Sequence, residues 1–161
     1  MSSRVTGSEE GTYFQKSYKP MLRPSGQKSG IRIVAADDNR QVRDKIVQLL
    51  KENFEIVGTA ADGKAALELV LLLEPEVVVL DISMPVMSGI EAAAEIRNKS
   101  SKTKIVFLTV HDDSDFVKAA LNVGASGYVV KSQMAIDLPA AISAATDGNK
   151  FISSNCAVME D

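Results

Sequence analysis

The stretch Val77-Val78-Val79-Leu80-Asp81-Ile82-Ser83-Met84-Pro85 decides the fold. Four apolar residues, three of them β-branched, stand between Pro75 and Pro85, which describes a short strand buried on both faces. Asp81 falls where that strand surfaces. A carboxylate at the carboxyl end of a buried parallel strand opens into the crevice where open α/β sheets bind ligands, so its position suits chemistry better than packing. The plainer reading of Asp81 is a helix N-cap.

Working outward, apolar runs and helical periods alternate. Ile31–Ala36 forms a first strand ended by Asp37-Asp38, and Val42, Ile46, Leu49 and Leu50 recur at helical spacing behind Asn39, a cap residue. Phe54–Ala60 is a second strand closed by Asp62-Gly63, followed by a helix over Lys64–Leu73 that Pro75 stops. After the loop Ile82–Gly89 come a helix over Ile90–Arg97, a fourth strand over Lys104–Thr109 and a helix over Asp112–Val123 that Gly124 closes. A fifth strand over Gly127–Val130 ends at Lys131, and a fifth helix covers Leu138–Thr146 before Gly148. Five strand–helix alternations predict an α/β fold, a doubly wound parallel sheet with helices on both faces and right-handed crossovers.

Composition narrows the function classes. The 161 residues suffice for one domain and a tail, and no apolar run approaches the ~18 residues of a membrane span. No secretory h-region is present, and a lone Cys156 fits a reducing, cytoplasmic setting. With only one His and one Cys, a zinc site of ordinary N/S ligands cannot be assembled within one chain. The net charge of −3 is uneven: residues 1–30 carry five Lys/Arg and two acids, which leaves the remainder at −6. An acidic folded part disfavours direct nucleic-acid binding. Residues 1–30, rich in Ser, Gly, Lys and Pro without periodicity, read as a flexible leader, although Tyr13, Phe14, Tyr18, Met21 and Leu22 offer apolar docking groups. Residues 31–153 form the domain and 154–161 a short tail.

The strand ends supply the chemistry. In a doubly wound sheet, Asp37-Asp38, Asp81, Thr109 and Lys131 converge on one edge although they are far apart in sequence. Three neighbouring carboxylates repel one another unless a cation neutralises them, and an all-oxygen set completed by water suits Mg²⁺. Carboxylates, Mg²⁺, a hydroxyl and an ammonium are the parts that position a phosphoryl group and spread its charge. Asp81, alone on its strand, is the candidate nucleophile for an aspartyl phosphate.

The motifs Ala36-Asp37-Asp38-Asn39, Leu80-Asp81-Ile82-Ser83-Met84-Pro85-Val86-Met87-Ser88-Gly89, Leu108-Thr109 and Gly124-Ala125-Ser126-Gly127-Tyr128-Val129-Val130-Lys131 together resemble the response-regulator receiver domain of two-component signalling. The wording around Thr109 and Lys131 is closest to receivers of LuxR/NarL-like regulators. The resemblance covers about three quarters of the chain, Ile31 to Ser153. It implies a three-layer, flavodoxin-like (βα)5 fold with strand order 2-1-3-4-5. It implies a phosphoprotein with Asp81 as phosphoacceptor, and Mg²⁺ on Asp38, Asp81 and the carbonyl of Ser83, with Asp37 acting through water. Thr109 and Lys131 would contact the phosphoryl oxygens, Tyr128 would turn inward as a switch, and Ser83 and His111 would tune phosphoryl lifetime. The implied donor is a histidine kinase or a phosphotransfer protein, and the output an unknown protein or a second copy met through the fourth-helix, fifth-strand and fifth-helix face. Beyond self-phosphorylation and autodephosphorylation, no enzyme activity is implied.

Three other readings stand beside this one. No helix-turn-helix follows, so the sequence reads either as a stand-alone receiver or as a fragment of a LuxR/NarL-like DNA-binding regulator. A haloacid-dehalogenase-type Mg²⁺ phosphohydrolase needs an acid two residues after the nucleophile, where this chain has Ser83. A receiver used as an adaptor without phosphorylation would not need the full set of five residues. For His111, a lone loop histidine beside Asp112, a solvated side chain or a helix-start residue is the plain reading and a catalytic base the rival one.

Overall fold

The computed structural model describes residues 13–14, 30–100, 102–154 and 156. Its strands are β1 (Tyr13–Phe14), β2 (Arg32–Ala36), β3 (Glu55–Ala60), β4 (Val77–Leu80), β5 (Lys104–Thr109), β6 (Gly127–Val130) and β7 (Lys150–Ile152). The helices are α1 (Arg40–Leu50), α2 (Gly63–Leu73), α3 (Gly89–Lys99), α4 (Ser114–Asn122) and α5 (Met134–Thr146), with a 3-10 turn over Lys131–Gln133 ahead of α5. All strands pair in parallel, in the order β1-β7-β6-β5-β4-β2-β3.

Within that order, the five strands read from sequence keep the expected 2-1-3-4-5 arrangement. The sheet does not stop at the fifth strand, however. After α5 the chain turns at Gly148, in the left-handed region at φ +83°, and lays β7 against β6, and β1 pairs with β7. Three residues are too few to show a strand period, which is why β7 was not legible. β1 falls within the leader, whose other residues, Tyr18, Met21 and Leu22 among them, lie outside the described residues apart from Gly30.

Alternation within strands sorts side chains into two cores. Ile33, Ala35, Val77, Val79, Val106, Leu108, Val129 and Phe151 face α1 and α5; Val34, Ala36, Val78, Leu80, Ile105, Phe107, Tyr128 and Ile152 face the layer of α2, α3 and α4. Every residue of β4 is fully buried, as a run of apolar side chains between two helical layers requires. Cap chemistry fixes where helices begin. Asn39 accepts from the amides of Gln41 and Val42, Asp62 from Ala65 and Asp113 from Phe116, and Ser88 with Glu91 forms a reciprocal capping box. Asp81 caps nothing among these, so the N-cap alternative for it fails. α5 starts four residues earlier than read, because the 3-10 turn after Lys131 feeds it directly and Pro139 lies inside it. No helix among the described residues is long and apolar enough to cross a membrane.

Candidate functional site

The carboxyl ends of β2, β4, β5 and β6 bring Asp37, Asp38, Asp81, Thr109 and Lys131 to one edge of the sheet. Carboxylate oxygens of Asp37, Asp38 and Asp81 all lie within 4.8 Å of one another. Asp37 and Asp81 are buried while Asp38 is exposed. Lys131 Nζ sits between the two buried acids, 2.7 Å from Asp37 Oδ2 and 3.1 Å from Asp81 Oδ2. Lys131 therefore pairs with both buried acids, through a hydrogen bond to Asp81 and a close ion pair to Asp37.

Backbone contacts hold these groups in place. Asp37 Oδ1 accepts the Asn39 amide at 2.9 Å, and Arg43 Nη1 donates to the Asp37 carbonyl at 2.8 Å. The Asp81 amide donates to the Ala36 carbonyl at 3.1 Å, continuing the ladder one residue past β4. Gly89 lies so close behind Asp81 that a Cβ there would come within 1.9 Å of the Asp81 carbonyl oxygen. Gly63, at the start of α2, does the same to the far end of the loop, where a Cβ would meet the Met87 carbonyl oxygen at 2.0 Å. The loop between β4 and α3 is thus gripped by two glycines from different helices.

The electrostatics follow from burial. Desolvation pushes the Asp81 carboxyl above its ordinary value; Lys131 opposes this and the Asp37 charge adds to it. Burial pulls the Lys131 ammonium down, but Asp37 and Asp81 outweigh it and hold it above its ordinary value, so it stays charged.

Around this cluster stand Ser83, His111, Thr109 and Tyr128. Ser83 Oγ and His111 Nε2 share a hydrogen bond at 3.2 Å that bridges the loops after β4 and β5. The His111 ring also stacks on Phe116, with centroids 4.0 Å apart and planes 15° apart, so it is half-buried and held in place, unlike the solvated side chain read from sequence. Thr109 Oγ1 accepts the His111 amide at 3.3 Å. Tyr128 is fully buried, with its hydroxyl donating to the His111 carbonyl at 2.7 Å. Burial raises its phenol, with smaller contributions from Cys156, Asp113, Asp112 and Asp81. Sequence reasoning missed Arg43, whose role depends on reaching across a helix turn to a backbone carbonyl, and no residue pattern signals such a contact.

A groove of about 620 Å³ opens beside the carboxylates, bordered by Asp38, Ser83, Pro85 and Phe116. Next to Pro85, the loop between β4 and α3 carries a strained residue. Val86 has φ +69° and is 77% exposed, a β-branched side chain in the left-handed region without burial to offset it. Val86→Asn is expected to raise the melting temperature by about 3 °C, the equivalent of ~1 kcal/mol in a chain of this size. A melt at or below that of the unmutated chain would show the loop to be held by something other than local backbone preference.

Residues 33–143 match the response regulator receiver domain, and the chain belongs to that family. It is similar to the transcriptional regulatory protein DegU of Brevibacillus brevis, 35% identical over 124 residues that cover 76% of this chain and 52% of DegU. PdtaR of Mycobacterium tuberculosis is 40% identical over 124 residues, covering 76% of this chain and 60% of PdtaR. Among solved structures, a LuxR-family two-component response regulator from Aurantimonas sp. SI85-9A1 superposes with a TM-score of 0.76 at 35% identity, covering 79% of this chain and 92% of that one. The signal receiver domain of the putative response regulator NarL from Mycobacterium tuberculosis gives 0.72 at 33% identity, covering 74% and 98%. The domain is a receiver of the LuxR/NarL type, a component of phosphorelay signalling. The chain spans about half to three fifths of the length of the curated relatives it matches.

Proposed function

We propose that this receiver accepts a phosphoryl group on an Asp81 carboxylate oxygen from a phosphohistidine of a sensor histidine kinase or phosphotransfer protein in the cytoplasm. One observation carries the reading: three strand ends deliver Asp37, Asp38, Asp81 and Lys131 into a single cluster in which the three carboxylates lie within 4.8 Å of one another. An all-oxygen, acidic donor set fits a hard divalent cation. Asp38, Asp81 and the Ser83 carbonyl would hold Mg²⁺, with Asp37 acting through water. When bound there, Mg²⁺ supplies positive charge against the phosphoryl oxygens.

In the transfer, an Asp81 oxygen bonds to phosphorus as the phosphorus–nitrogen bond of the donor breaks, and the imidazole departs with the electron pair. Lys131 exchanges its Asp81 contact for the new phosphoryl oxygens, and the Thr109 hydroxyl turns from the His111 amide to donate to them. Both moves alter the loop that Tyr128 grips through the His111 carbonyl, which is how a local charge change biases the surface between two populations. Ser83 and His111, joined across the mouth, limit access to the acyl phosphate and so set its lifetime. The output surface lies on α4, β6 and α5. Because β7 runs along β6, an effector protein or second copy there meets α4 and α5 beside a covered β6 edge. The reading of the chain as the receiver part of a DNA-binding regulator rests on relatives such as DegU, described as a transcriptional regulatory protein.

Intact-mass spectrometry after incubation with Mg²⁺ and acetyl phosphate tests the proposal. One added phosphoryl group, lost when Mg²⁺ is chelated, is the expected result. No gain, with a histidine-kinase donor failing as well, would leave an adaptor that uses its fold without the chemistry.

A further inference from the structure

The stretch matching the receiver family ends at residue 143, yet a residue beyond it, Ser153, completes a buried polar network with Asp137 and Val130 inside it. Ser153 follows β7 and is fully buried. Its amide donates to the Tyr128 carbonyl at 2.9 Å, its Oγ accepts the Val130 amide at 3.1 Å, and its hydroxyl proton goes to Asp137 Oδ2 at 2.7 Å. The serine side chain therefore continues the β6–β7 ladder after the backbone has left it. The amide it satisfies belongs to the residue immediately before Lys131. Asp137, in the first turn of α5, is 1% exposed, and its second oxygen is buried with no hydrogen-bond partner among the described residues. A buried carboxylate left half-satisfied is costly, and an apolar pair would pack here without that cost.

The same segment covers the switch residue. Tyr128 pairs in register with Ile152, and Cys156, whose amide donates to the Ser153 carbonyl at 3.1 Å, packs against the apolar layer that contains the Tyr128 ring. One short segment thus bonds the backbone amide just before Lys131 and packs on the apolar layer that holds the Tyr128 ring.

We propose that Lys150–Ser153 is a clamp on β6, in which Ser153, held by Asp137, is a positioning residue for Lys131, and that the clamp tightens when Lys131 engages a phosphoryl group. The inference rests on Asp81 being the phosphoacceptor. Nothing in the geometry requires Ser153 to touch the phosphoryl group; it acts through the backbone of Val130.

The lone cysteine makes the clamp measurable. In the full chain, the labelling rate of Cys156 by a thiol reagent is followed with and without Mg²⁺ and beryllofluoride, while intact mass follows phosphoryl uptake from acetyl phosphate in parallel. Beryllofluoride is expected to slow labelling by about threefold in the unmutated chain and to leave it unchanged in Asp81→Asn. Ser153→Ala is expected to take up phosphate about tenfold more slowly while still melting cooperatively, and Ser153→Thr, which keeps the hydroxyl, to recover most of the rate. Labelling that is unchanged or faster in the unmutated chain, or a folded Ser153→Ala chain phosphorylated at the normal rate, overturns the proposal. If Ser153→Ala does not fold, the labelling of the unmutated chain decides alone. An unmutated chain that gains no phosphoryl mass removes the underlying reaction, and the clamp with it; the missing mass increment distinguishes that failure from a failure of the clamp alone.

Discussion

An Asp81→Asn chain is expected to gain no phosphoryl group and to melt higher than the unmutated chain. The loss of uptake is large, at least about 10³-fold, because a neutral amide oxygen cannot replace a carboxylate nucleophile. The gain in stability has a separate cause. Burial, reinforced by Asp37, raises the Asp81 carboxyl above its ordinary value despite Lys131. The folded chain therefore binds that proton more tightly than the unfolded chain does, and stability is lost as pH rises from the ordinary value through the raised one. Asn carries no charge and escapes the penalty. The expected gain is present at neutral pH and disappears in acid below the ordinary carboxyl value, where the native Asp81 is already protonated. Saturating Mg²⁺ narrows the difference by neutralising the same charge in the unmutated chain. Melting curves at neutral and acidic pH decide it: an Asn chain less stable than the unmutated one at neutral pH would mean that Lys131 over-compensates the buried acids.

Gly89→Ala is the second large effect, and its origin is steric. Gly89 has no left-handed backbone to explain it; a Cβ would lie 1.9 Å from the Asp81 carbonyl oxygen, 2.8 Å from its carbon and 2.9 Å from the Ile82 Cα. All three are backbone atoms next to the acceptor, and the Gly89 amide is fixed to the Ile82 carbonyl at 2.8 Å, so relief requires moving Asp81 itself. A loss of about 3 kcal/mol is expected, at the upper end for an overpacked site, together with a fall in phosphoryl uptake of about 10²-fold from the displaced nucleophile. Gly148→Ala provides the contrast. Its φ of +83° is strained for alanine but no atom lies within 4 Å of the new methyl, so it should cost only ~1 kcal/mol and leave uptake unchanged. Thermal melts and uptake rates on the two variants test the distinction, and equal behaviour in both assays would remove the steric argument.

Much of this arrangement was legible in residue order. Val77–Leu80 reads as a strand with no polar face and is buried throughout, and Asn39 reads as a cap and is one. The site was legible because each of its residues follows a recognisable strand, so that topology alone brings Asp37, Asp38, Asp81, Thr109 and Lys131 together. Contacts that depend on distance without a repeating pattern were not. His111 looks like a free loop residue until Phe116 is found stacked on its ring and Ser83 bonded to its edge. Asp137 looks like an ordinary acid in the first turn of a helix, since nothing near it in sequence announces Ser153. Lys150-Phe151-Ile152 carries too few residues to declare a strand.

Those three residues have a mechanical meaning. Phe151 and Ile152 are neighbours along the chain, yet Phe151 is sealed into the core under α1 and α5 and Ile152 into the one under α2, α3 and α4. β7 therefore works as a rivet through the sheet, with one head in each half of the molecule. A load applied to the segment that follows would pull on both halves at once, and neither helical layer could slip against the sheet at this edge without the other.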